Sequence, residues 1–120
     1  MAHNPDAVKV LVEALRAFKL GRLVTVFGVL KDKEYLPMVL DLASLSEDVV
    51  AVAPRSARAR SASDVAAAFQ RAGSRVRAAL SVEAGIALAL DLAGDRGTIL
   101  VTGSHYVVGE ALSALRRKRA

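Results

Sequence analysis

Lys31 and Lys33 stand two apart in the polar tetrad Lys31-Asp32-Lys33-Glu34, directly after an apolar run. An ammonium in a partly dry cleft makes charge-assisted hydrogen bonds to a carboxylate, so a lysine here could hold an acidic ligand. A solvated charged turn accounts for the same residues. Ser104 and His105 form a second candidate pair, placed where the strongest strand pattern of the chain gives way to a helix. There a hydroxyl or an imidazole can meet an anion beside the backbone amides of a helix start, although plain helix capping would also explain Ser104. His3 and Asn4 precede the first periodic stretch, and free N–H groups at that helix start favour phosphate; an ordinary Asn cap at a frayed end is the simpler alternative. Arg55, Arg58 and Arg60 lie in an irregular Arg/Ser stretch that reads better as solvated surface than as a phosphate site.

Several chemistries are missing. Neither a GxxxxGK[ST] phosphate loop nor a GxGxxG dinucleotide fingerprint occurs. There is no cysteine, which removes disulfides, thiolate metal sites and a thiol nucleophile and makes a reducing cytoplasm the expected compartment. The two histidines, His3 and His105, lie at opposite ends without metal-ligand spacing, so no metal site and no catalytic residue is assigned.

The elements that must position these groups follow from periodicity. Val8, Leu11, Val12, Leu15 and Phe18 share one helical face, giving a helix over 5–19 with Asn4 as cap and Gly21 as stop. Leu23 to Phe27 is a short apolar run closed by Gly28, the profile of a strand buried on both faces. A helix with Pro37 in its first turn and a face of Leu36, Val39, Leu40 and Ala43 comes next, then a strand over 49–53. Residues 54–63 read as an exposed loop ending in helix-capping Ser61-Ala62-Ser63-Asp64, followed by a helix to about Ala72. A strand over 76–80, a helix capped by Ser81 with Val82, Ile86, Ala89, Leu90 and Ala93 on its face, and a Gly94–Gly97 turn lead to the strand Thr98–Thr102. The last helix carries Val108, Ala111, Leu112 and Leu115.

Strict alternation of helices with short apolar strands predicts an α/β fold: three layers, a Rossmann-like, mostly parallel sheet with helices on both faces. Ligands of such sheets bind at the carboxyl ends of the strands, here 28–33, 53–55, 80–81 and 103–105. A chain of 120 residues supports one domain. The net charge of +5 comes largely from the terminal run Arg116-Arg117-Lys118-Arg119 and from Arg55, Arg58 and Arg60, without interleaved aromatics, so nucleic acid is not the expected partner. No stretch reaches the roughly 18 apolar residues of a membrane span, and the polar start, Met1 to Asp6, lacks the apolar core of an export signal.

Three segments in order then resemble one family: Ala2-His3-Asn4-Pro5 at the start, Phe27-Gly28-Val29-Leu30-Lys31-Asp32-Lys33-Glu34 in the middle, and Gly103-Ser104-His105-Tyr106-Val107-Val108-Gly109-Glu110 near the end. They are similar to the C-terminal domain of the folylpolyglutamate and dihydrofolate synthases of the Mur ligase superfamily. The AHNP element is shared widely among Mur ligases; the trio in register is more specific and covers nearly the whole chain. The resemblance implies an ATP-dependent ligase, with Mg in the full-length enzyme, that activates a folate or dihydropteroate carboxylate as an acyl phosphate and joins it to L-glutamate. On that resemblance His3 and Asn4 approach ATP, while Lys33, Ser104 and His105 face L-glutamate.

The family usually places an apolar strand ending in Asp-Gly before AHNP, whereas Met1 stands directly before Ala2 here. The expectations are therefore a missing first strand, an exposed sheet edge that invites a homodimer, and a missing N-terminal ATPase domain without which the chain catalyses nothing. Glu34 stands where the family often has a second Asp. A peptidoglycan Mur ligase domain, or a stand-alone binding module that partners a separate ATPase chain, are the alternatives.

Overall fold

The structure is a computed structural model that describes residues 22–94 and 97–119. The expected helix over 5–19, the candidates His3 and Asn4 and the centre of the Gly94–Gly97 turn lie outside the described residues. From residue 22 onward the chain alternates as expected: β1 (Leu23–Phe27), α1 (Leu36–Leu45), β2 (Asp48–Ala51), α2 (Ala62–Arg71), β3 (Val76–Ala78), α3 (Val82–Ala93), β4 (Thr98–Thr102) and α4 (His105–Arg119). All three strand pairings are parallel, in the order β3-β2-β1-β4.

The period-2 alternation of the strands builds two cores, one on each face of the sheet. Phe27, Val49 and Ala51 point to the side covered by α1 and α2, where they meet Met38, Val39, Leu42, Val65, Ala68 and Phe69. Val24, Val26, Val50 and Val52 point to the other side, against Val82, Ile86 and Ala89 of α3 and Val107 and Ala111 of α4. Every residue of β1 and β2 is buried, as their near-continuous apolar sequences require of central parallel strands. The two polar residues in them are satisfied: the Thr25 hydroxyl is 2.5 Å from that of Ser46, and Asp48 pairs with Arg22.

The helix starts follow the expected capping chemistry. Ser61 Oγ accepts the Asp64 N–H at 3.1 Å, and Ser81 Oγ accepts the Ala84 N–H at 3.0 Å. Pro37 sits in the first turn of α1.

Four expectations are corrected. The second strand is Asp48–Ala51 rather than 49–53, although Val52 still donates its N–H to Phe27 O at 3.0 Å before Pro54 ends the pairing. The third strand stops at Ala78 because it is an edge with β2 as its one partner, and Leu80 beyond it is wholly exposed. The helix faces are rotated: Leu36, Leu40, Leu90, Leu112 and Leu115 face outward, while Met38, Leu42, Gly85, Val107 and Ala114 face inward. Small residues win these positions because the helices lie close to the sheet; a Cβ on Gly85 would stand 2.4 Å from Val52 Cγ1.

The fourth correction concerns residues 54–61, which are tied down rather than free. Leu30 and Ala59 form an antiparallel bridge, Lys31 N–H donates to Arg58 O at 2.7 Å, and Arg60 N–H donates to Val29 O at 2.9 Å.

Candidate functional site

Strand order decides where a site can form. The chain runs from β1 outward to β2 and β3, then returns through α3 to β4 on the opposite side of β1, so the direction of winding reverses between β1 and β4. At such a switch point the loops leave neighbouring strands in opposite directions and open a crevice at their carboxyl ends. The register makes these ends level, Phe27 opposite Thr102. Gly28 and Gly103 follow, and their backbones nearly touch: a Cβ on Gly103 would lie 2.0 Å from Gly28 O. Gly103 has φ +113°, a conformation that side chains rarely adopt, so both sterics and backbone geometry require glycine at the floor of the crevice.

A cleft of about 290 Å³ opens above this glycine contact, lined by Leu30, Lys33, Arg58, Gly103, Ser104, His105 and Tyr106. The volume lies at the small end of ligand sites, the scale of an amino acid rather than a dinucleotide. Lys33, Ser104 and His105, three candidates separated by up to 72 positions in the sequence, thus line one cleft. Ser104 is buried and caps α4, its Oγ accepting the Val107 N–H at 3.2 Å. That bond occupies an acceptor lone pair and leaves the hydroxyl proton available for donation to a ligand oxygen. His105 and Tyr106, both exposed, open the 15-residue helix α4, whose N-terminal dipole adds positive potential to the cleft.

Lys33 is held by its loop, not by its own side chain. Arg60 supplies the clamp: its guanidinium donates to Lys31 O at 2.9 Å and stacks over the Tyr35 ring with Cζ 4.5 Å from the centroid. With the Leu30–Ala59 bridge, this fixes residues 29–35 against the loop that follows β2. Lys33 Nζ itself stays exposed, ready for an incoming anion.

Arg58 is the cleft residue that sequence reasoning assigned to solvated surface. Its guanidinium pairs with Asp32 at 2.7 Å on the same rim as Lys33. Its position in the loop after a central strand was the available signal.

A second polar groove of about 190 Å³, between the start of α3 and one side of α4, is lined by Arg55, Ser81, Glu83, Glu110, Ser113 and Arg117. Its charges are engaged with one another: Arg117 pairs with Glu83 at 3.2 Å, and Glu110 accepts the Arg55 N–H at 2.7 Å, fastening the loop after β2 to α4. Among the described residues no three His, Asp or Glu side chains stand where they could hold a metal ion, and no helix is long and apolar enough to cross a membrane.

Comparison with known proteins agrees with this architecture. A probable bifunctional folylpolyglutamate synthase/dihydropteroate synthase of Halobacterium salinarum is 37% identical over 111 residues, which cover 92% of this chain and 14% of that protein. A UDP-N-acetylmuramoyl-L-alanyl-D-glutamate–2,6-diaminopimelate ligase of a Chelativorans species is 25% identical over 117 residues, 96% of this chain and 24% of that protein. The solved structure of Escherichia coli FolC in complex with DHPP and ADP matches with a TM-score of 0.90 and 26% identity, over 100% of this chain and 28% of that one. The chain therefore spans about a quarter or less of these relatives. The family profile described as Mur ligase, glutamate ligase domain, matches residues 1–105, and with the parallel sheet and the switch-point cleft in place the chain belongs to that family.

Proposed function

We propose that this chain is the C-terminal, amino-acid-binding domain of an ATP-dependent ligase that joins L-glutamate to a folate or dihydropteroate carboxylate. The observation that carries the reading is the meeting of Lys33, Ser104 and His105 in one cleft at the β1/β4 switch point. Lys33 provides a compact positive charge for a glutamate carboxylate, and Ser104 donates its hydroxyl proton to the same group. Both contacts and the dipole of α4 hold the acid end of the ligand, leaving its amine to face outward. That amine attacks the carbonyl carbon of the activated acid; the C–N bond forms, the C–O bond to phosphate breaks, and the amine gives up a proton. His105, on the rim of the cleft, is the side chain of this site whose ring nitrogens can accept or donate a proton at that stage.

On this reading residues 1–120 act as one domain in a cytoplasmic enzyme. His3 and Asn4 reach toward ATP, and the phosphate loop, the Mg-binding groups and the folate pocket belong to a separate ATPase domain. The chain alone then binds small ligands without catalysing ligation. The folate branch is preferred to the peptidoglycan branch because identity is 37% to the Halobacterium protein and 25% to the diaminopimelate ligase. A homodimer would add along β4, which is an edge strand among the described residues.

Calorimetric titration with L-glutamate tests the assignment. Lys33→Ala removes the one ammonium of the cleft, and since a charge-assisted hydrogen bond contributes about 1.5–3 kcal/mol, affinity is expected to fall by at least about tenfold with the melting temperature unchanged. Equal affinity in the wild type and Lys33→Ala contradicts the role of Lys33.

A further inference from the structure

The cleft carries a second positive charge that the binding of a single carboxylate does not use. The loops rise side by side in the order of their strands: Arg58 from the loop after β2, Lys33 from the loop after β1, and Ser104 with the start of α4 after β4. Lys33 therefore lies between Arg58 on one flank and Ser104 on the other. A ligand anchored at Ser104 and Lys33 extends its far end toward Arg58.

Arg58 is built to meet that end. Its backbone is fixed, with its carbonyl accepting the Lys31 N–H at 2.7 Å and its own N–H donating to Ser56 Oγ at 3.2 Å. Its side chain is 64% exposed and that of Asp32 55%, so their 2.7 Å ion pair is in contact with water and exchanges readily. A guanidinium presents a planar fork that matches a carboxylate bidentately, and a ligand carboxylate can take the place of Asp32. A neutral amide cannot, because Asp32 remains the better partner.

We propose that Arg58 is the specificity-determining residue of the cleft: it selects an amino acid with a side-chain carboxylate by exchanging its Asp32 partner for that group. The proposal rests on the reading of the cleft as the amino-acid site and names the residue that sets its preference for a dicarboxylic ligand.

The test is NMR titration of the chain with L-glutamate and with L-glutamine, for the wild type, Arg58→Gln and Arg58→Lys. The wild type is expected to favour glutamate by about tenfold, the equivalent of about 1.4 kcal/mol for one exposed charge-assisted contact. Arg58→Gln should bring the two ligands to similar affinities by weakening glutamate alone, and Arg58→Lys should restore part of the preference. A preference that persists in Arg58→Gln, or a variant that weakens both ligands alike, overturns the role of Arg58 while leaving the amino-acid site intact. Wild-type chain that binds neither ligand overturns the underlying reading, and the proposal with it.

Discussion

Gly103→Ala is expected to lower the melting temperature by about 15 °C or more, and to remove the cleft in whatever folded fraction survives. Two independent penalties fall on the same atom. A side chain at φ +113° carries backbone strain of about 1–3 kcal/mol. The added Cβ would also lie 2.0 Å from the Gly28 carbonyl oxygen, 3.0 Å from its carbon and 3.1 Å from its nitrogen, so it meets backbone rather than a flexible side chain. Relief requires β1 and β4 to separate at their carboxyl ends, the place where both strands deliver their loops to the cleft. The combined cost is on the order of 4 kcal/mol, a large part of the 5–15 kcal/mol that holds a typical domain together. Gly109→Ala makes the control, since a Cβ there has nothing within 4 Å and alanine is the better helix former. Thermal unfolding followed by circular dichroism separates the two; similar melting temperatures for both variants would show that the Gly28–Gly103 contact is not needed.

Phe69→Ala should cost about 3–5 kcal/mol in chemical unfolding, with the loss concentrated on one side of the sheet. Phe69 is fully buried and meets Phe27 edge to face, with ring centroids 5.5 Å apart and planes at 73°. Such a pair contributes about 0.5–1.5 kcal/mol beyond the burial of its area. The position is sensitive because α2 has little else to bury: Val65 and Ala68 are its other fully enclosed residues. Without Phe69 the helix loosens from the sheet, and so does the loop before it, which carries Arg58 and clamps the Lys33 segment through Arg60. Leu80→Ala removes a similar apolar mass from a wholly exposed site and should leave stability within about 0.5 kcal/mol. A Phe69→Ala loss as small as that of Leu80→Ala would contradict the packing described.

The strands were legible because Leu23–Phe27 and Thr98–Thr102 are compact β-branched runs with glycines at their ends, and the helix starts because Ser61 and Ser81 cap in the expected way. The helix faces were less so. Hydrophobicity assigned Leu40, Leu90, Leu112 and Leu115 to the core, whereas close approach to the sheet selects small residues such as Gly85, Ala89 and Ala114, a preference that depends on interlayer distance and not on the helix's own sequence. The order of residues 54–61 was hidden for a related reason. It comes from pairing with residues 29–35, about 30 positions earlier, and from a guanidinium over Tyr35.

The cleft was partly legible. Strand-end positions of a parallel sheet marked Lys33, Ser104 and His105 as candidates, but alternation of elements does not specify strand order. The order β3-β2-β1-β4 is what makes β1 and β4 neighbours and brings those residues into one cleft with Arg58.

Mapping L-glutamate onto the chain by backbone amide chemical shifts is the most direct test that the switch-point cleft is the amino-acid site. The account predicts saturable shifts at Lys33, Gly103, Ser104 and His105, with little change in the apolar groove between α1 and α2 around Leu40 and Arg71. Shifts confined to that groove, or none at saturating glutamate, would contradict it.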